Sequence, residues 1–119
     1  MTAPGNPAQD ALVDGTRYPT GLVFGVSFDE FSVRLTTLPG AKLRFHIADG
    51  PYARTEEVAI VATLIRPQVF LVSWVENSGA TVVHVEDFAE KTLHSHATLP
   101  DGTFLRMQGP LKIISQPVL

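Results

Sequence analysis

The stretch Phe70-Leu71-Val72-Ser73-Trp74-Val75-Glu76-Asn77-Ser78-Gly79-Ala80-Thr81-Val82-Val83-His84-Val85-Glu86-Asp87-Phe88 reads as a β-hairpin. Two runs rich in valine and aromatic residues flank Asn77-Ser78-Gly79, a loop whose glycine takes positive φ without steric cost. Alternate side chains of a strand leave the same face. Phe70, Val72, Trp74 and Glu76 therefore form one stripe, apolar up to its terminal carboxylate. On the returning run His84 and Glu86 share a face, and Val83 and Val85 share the other.

The rest of the chain continues the pattern in both directions. Short β-prone runs fall at about 22–28, 31–38, 41–48, 57–66, 69–76, 80–88, 92–99 and 103–109, with a further tail run at 111–115. Leu38-Pro39-Gly40 and Pro100-Asp101-Gly102 are turn sequences, and Pro67 breaks a long run because it cannot donate to a ladder. Beyond one turn over residues 10–15, closed by Gly15, no helical period of useful length occurs. This arrangement predicts an all-β protein, an eight-stranded antiparallel up-and-down β-barrel, with a β-sandwich as the alternative. Closing the meander removes its two raw edges, and eight strands leave an interior that is either filled or holds one small ligand. Residues 1–15 read as a flexible N-terminal arm carrying the short helical turn, and 16–119 as a single barrel domain.

Composition narrows the function classes. At 119 residues with 45% apolar and 18% charged residues, the chain has the profile of a folded domain with a real core. A net charge of −3, with nine Lys and Arg scattered along the sequence, gives no basic footprint for nucleic acid. No apolar run is long enough to span a bilayer, and no basic amphipathic segment suggests a membrane surface. The absence of cysteine excludes disulfides, thiolate nucleophiles and zinc–thiolate sites. Met1-Thr-Ala-Pro-Gly-Asn-Pro lacks the basic and apolar regions of a signal peptide, so a cytoplasmic bacterial protein is the expectation.

From Glu57 onward the chain resembles the MoaF-like family of small bacterial lipocalin-like (calycin) barrels. The resemblance is carried by FLVSWVENSGATVVHVEDF at 70–88, TLHSHATLP at 92–100 and DGTFLRMQGPLKI at 101–113. It implies a calycin-type barrel with a central cavity and says little about a reaction. The Gly-x-Trp start of true lipocalins is replaced here by Gly25-Val26-Ser27, which argues against a secreted lipocalin.

Candidate site residues gather in the C-terminal hairpins. Phe70, Val72 and Trp74 would line a cavity able to stack a planar ligand, with Glu76 at its mouth. In the alternative, Trp74 fills the core and Glu76 ends in water. His94 and His96 leave one face of their run, and the register of the hairpin decides whether His84 joins them. If the numbers of facing residues sum to an even total, His84 meets that side; if odd, the partners are Val83 and Val85, and a one-residue slip reverses every side chain. His84 and Glu86 as a solvated outer face is the plainer reading of that run. Glu76, His94 and His96 are the acid–base candidates, and His84 and Arg106 are polar ligand contacts. Arg44 and His46 alternate with Leu43, Phe45 and Ile47 and are expected to face outward.

No metal site and no cofactor are expected, and the serines lack the G-x-S-x-G elbow of a hydrolase. The expected partner is a small hydrophobic or aromatic molecule; a homodimer is left open. Three functions fit: a small-molecule-binding barrel, a cofactor-independent lyase, isomerase or cyclase of the same architecture, or a packed barrel without a cavity serving as a dimerisation or accessory module.

Overall fold

The structure is a computed structural model that describes residues 11–117. Its strands are β1 (Val23–Ser27), β2 (Ser32–Leu38), β3 (Lys42–Ile47), β4 (Arg54–Ala59), β5 (Val61–Arg66), β6 (Val69–Val75), β7 (Thr81–Asp87), β8 (Thr92–Thr98) and β9 (Phe104–Ser115). The described residues contain no α-helix. All nine strands form one antiparallel sheet in the order β4-β3-β2-β1-β9-β8-β7-β6-β5. The sheet curls, and side chains of β4 at one edge reach the β6–β7 turn near the other edge. No helix among the described residues is long and apolar enough to cross a membrane.

The strand count corrects the expectation of eight, and the closed barrel is corrected to a curled half-barrel whose edges are β4 and β5. The run at 57–66 begins earlier and divides at Ile60, whose amide donates to the Ala41 carbonyl at 2.9 Å. Before Ile60 the chain pairs with β3; after it, with β6. Conversely, the runs at 103–109 and 111–115 are one strand. Along β9, residues 104–110 pair with β8 and the remainder with β1, so this strand joins the two halves of the sheet.

Close approach makes that junction possible. Gly109 lies where β9 passes the end of β1, and a Cβ built there would stand 2.0 Å from the Ser27 carbonyl oxygen. Only glycine fits without a backbone shift.

The segment before β1 also departs from expectation. Residues 1–10 of the predicted arm lie outside the described residues. Ala11–Gly15 forms bends and a turn rather than a helix, and it is tied down by Gln68. The Gln68 amide side chain accepts from Leu12 N at 2.9 Å and donates to Leu12 O at 3.0 Å, while Gln68 N donates to Gly15 O at 2.7 Å. Leu12 is buried as a result.

The concave face carries the core. Phe24 and Phe88 meet edge to face at 5.4 Å, and Tyr18 meets Phe70 at 5.3 Å; these rings fill one end of the interior. The other end is left partly open. Strand β5 contributes nothing to this core: every residue from Val61 to Arg66 is exposed.

Candidate functional site

The open end of the interior is a pocket walled by Phe28, Val33, Leu35, Phe45 and Met107, with Tyr52 at its mouth. The space available to the centres of water-sized molecules is about 60 Å³. That is several times the roughly 10–15 Å³ that one water centre needs. Into this apolar surface project Trp74, Glu76, His84, Ser95 and Arg54.

Two polar groupings stand side by side. At the mouth, Glu76 Oε1 accepts from the Arg54 guanidinium, and Glu76 Oε2 accepts from Trp74 Nε1 at 3.2 Å. Arg54 also lies over the Phe45 ring, 5.2 Å from its centroid, and Phe45 stacks on Trp74 at 6.1 Å. The arginine thereby closes an aromatic wall while it neutralises the carboxylate. Deeper in, Glu86 is wholly buried at 0% exposure and His84 is 4% exposed. Glu86 Oε1 accepts from the Tyr18 hydroxyl at 2.7 Å, and Glu86 Oε2 lies 3.1 Å from His84 Nδ1. Where Glu86 is a carboxylate it only accepts, and Nδ1 is then the donor of this pair. The imidazole meets the Trp74 ring edge to face at 4.7 Å, which fixes its plane. Burial above all, and then the negative charge of Glu86, push the Tyr18 hydroxyl well above its ordinary value of 10.0. Tyr18 therefore stays a donor.

Register places the predicted residues. In the β6–β7 ladder Trp74 faces Val82, Val72 faces His84 and Phe70 faces Glu86, so all of these point inward. In the β7–β8 ladder facing numbers sum to an odd total: His84 faces Ser95, Val85 faces His94 and Val83 faces His96. His94 and His96 therefore stand on the outer surface, and so does Arg106, opposite His96 on β9. The Arg106 guanidinium lies 4.6 Å above Phe104, whose ring also meets His96 at 5.5 Å, and this cluster faces solvent. Their expected place beside the pocket is thus corrected, because Leu93, Ser95 and Ala97 take the inner face of β8. The solvated reading of His84 and Glu86 is corrected in the opposite sense. Phe88 and Val82 share their parity and are buried, which carries both polar residues inside.

Glu76, Trp74 and His84 line the pocket as candidates. Phe70 and Val72 are buried in the packing behind it rather than in its wall. Arg44 and His46 are exposed and pair with Glu57 and Thr55. Among the described residues no group of three or more His, Asp or Glu is placed to hold a metal ion.

Sequence reasoning missed Arg54, Tyr18 and Ser95. Arg54 was within reach: Arg54, Glu56 and Val58 share parity, so a strand begun at 54 rather than 57 would have aimed Arg54 inward. Tyr18 lies outside any strand, and no local signal connects it with Glu86, 68 residues away.

A curled antiparallel sheet of nine strands with polar side chains on its inner face defines an all-β, half-barrel class of fold. Within that class the chain belongs to the MoaF-like family, whose model matches residues 20–112. The chain is also similar to a crystal structure from Burkholderia vietnamiensis provisionally described as a beta-lactamase. Identity is 32%, the match covers 83% of this chain and 100% of that one, and the TM-score is 0.78. A comparison with curated protein sequences gives no match.

Proposed function

We propose that this protein is a cytoplasmic, calycin-type binder of one small, largely planar, apolar molecule. The observation that supports this reading is the pocket wall itself. Trp74, Phe45 and His84 present aromatic surfaces, and the two charges at the mouth, Arg54 and Glu76, are paired with each other. Such a surface favours a flat ligand by area burial, and a few polar groups set its orientation. The limited volume favours a small ligand over a drug-sized one.

Serine β-lactamase chemistry, suggested by the description of the structural relative, has no counterpart in this sequence. None of the six serines opens the S-x-x-K sequence that serine β-lactamases use.

Trp74 is the only tryptophan of the chain and lines the pocket, so its fluorescence reports occupancy. Titration with small bicyclic aromatic ketones and phenols is expected to quench it saturably. Native mass spectrometry should record an excess mass that disappears on denaturation. Ala97→Phe, which fills the cavity from β8, is expected to abolish quenching while the protein remains folded. A probe panel that leaves Trp74 unchanged, with a bare native mass, would overturn the reading.

A further inference from the structure

We infer that Tyr18, Glu86 and His84 form a hydrogen-bonded relay in which Tyr18 and Glu86 position His84, whose Nε2 moves a proton between two positions of a bound, enolisable carbonyl compound. This rests on the pocket being a ligand site and adds a reaction to it. The relay is carried by three observations. First, the Glu86 carboxylate is wholly buried, and among the described residues its hydrogen-bond partners are Tyr18 and His84. A buried charge is retained at considerable cost unless it is paired, and of these two partners His84 is the one that can become a cation. Second, with Nδ1 held by Glu86 and the ring fixed against Trp74, Nε2 is the nitrogen left for a molecule in the cavity that His84 lines. A carboxylate behind an imidazole sets its tautomer and stabilises the imidazolium once a proton arrives. Third, Ser95 lines the same cavity directly across the ladder from His84 and brings a hydroxyl donor.

A base on one strand and a donor on the next, within apolar walls, suit a carbonyl flanked by an acidic C–H. The proton passes from carbon to Nε2. The C–H electron pair becomes the enolate, whose oxygen accepts from the Ser95 hydroxyl. Glu86 balances the new positive charge on His84. Return of the same proton to a different carbon of the conjugated system gives the isomer, and nothing is oxidised, reduced or released. His84 would be the catalytic residue, with Glu86 and Tyr18 positioning it. Glu76 is not needed, since both of its oxygens are engaged by Arg54 and Trp74.

The test uses 2-indanone, a flat enolisable ketone, with the whole protein in deuterium oxide. Proton NMR follows loss of its α-hydrogens, and Trp74 quenching follows binding in the same samples. Exchange is expected to run about a hundredfold faster than with an equal concentration of imidazole. His84→Gln should return it to the imidazole-free rate with quenching still saturable. Glu86→Gln should lower exchange by about tenfold or more at saturating probe, and Glu86→Asp should restore part of it. Saturable quenching without faster exchange would overturn the relay and leave the binding reading intact. Absence of quenching would remove both for this ligand class. If His84→Gln does not fold, nitrogen-15 NMR of the wild-type protein decides: a protonated Nδ1 and a bare Nε2 that shifts with 2-indanone are expected, and the reverse tautomer would overturn the relay.

Discussion

Glu86 Oε2 lies 3.1 Å from His84 Nδ1, and the two residues stand two positions apart on β7 with both side chains inside the sheet. An extended strand brings residues i and i+2 to one face, so the spacing itself makes the pair. Its burial requires a further donor for the second carboxylate oxygen, and Tyr18 supplies it. No fully buried polar side-chain atom among the described residues is left without a partner.

Removing that donor should be costly. Tyr18→Phe leaves Glu86 Oε1 buried without its hydrogen bond, for an expected loss of about 1–3 kcal/mol by urea denaturation near neutral pH. The change keeps the ring contact with Phe70, so the loss reports the hydroxyl.

Alkaline pH should act through the same group. The Tyr18 hydroxyl is held well above 10.0 in the folded protein, so the folded state keeps a proton that the unfolded state gives up first. Its contribution is fully present below the ordinary tyrosine range and declines as pH rises above about 10. Denaturation curves from pH 8 to 11 should show a falling stability in the wild type and a shallower fall in Tyr18→Phe. Equal slopes would show that Tyr18 carries no such linkage.

At the mouth, Arg54 and Glu76 should be energetically coupled. Arg54→Ala leaves the Glu76 side chain, 6% exposed, without its cation. Because Arg54 itself is 38% exposed, the expected destabilisation is modest, about 1–2 kcal/mol. Arg54→Ala combined with Glu76→Gln should recover part of it, since the amide oxygen still accepts from Trp74. A double-mutant cycle that adds without coupling would refute this account.

The two strand glycines should respond differently to alanine. Gly109→Ala forces a Cβ onto the Ser27 carbonyl and should cost about 3 kcal/mol or prevent folding. Gly25→Ala meets Ile114 Cδ1 at 3.5 Å, an ordinary contact, and should be tolerated. Thermal melting of the pair separates the close approach at β9 from a general intolerance of strand substitutions.

Strand β5 should govern self-association. It is an edge strand whose Val61, Leu64 and Ile65 are exposed, and it carries no charge before Arg66. Unguarded edges of this kind pair with other strands. We propose pairing with a second copy: sedimentation velocity should show dimer growing with concentration, and Leu64→Lys with Ile65→Lys should suppress it. A wild-type protein monomeric throughout would make β5 a solvated edge.

Much of the architecture was legible because turn chemistry and alternation are local. Asn77-Ser78-Gly79 marks the β6–β7 hairpin, and the alternation from Lys42 to Ile47 aims Leu43, Phe45 and Ile47 inward. The break at Ile60 was not legible, since Glu57 to Arg66 contains no turn residue and the change of partner is a matter of the curl. At the site, Trp74 and Glu76 followed from parity along one strand. Placing His94 and His96 required the register between two strands, which one residue reverses.

The sequence by itself determined an all-β chain, the hairpin turns and the same-face pairs Trp74/Glu76 and His84/Glu86, because each depends only on residues a few positions apart. Only the tertiary structure decided that His84 and Glu86 face inward, and that Tyr18 and Arg54 come to meet the two carboxylates. Those outcomes are set by strand register and sheet curvature, where burial of Phe88, Val82 and Leu93 outweighs the cost of enclosing polar groups that find partners.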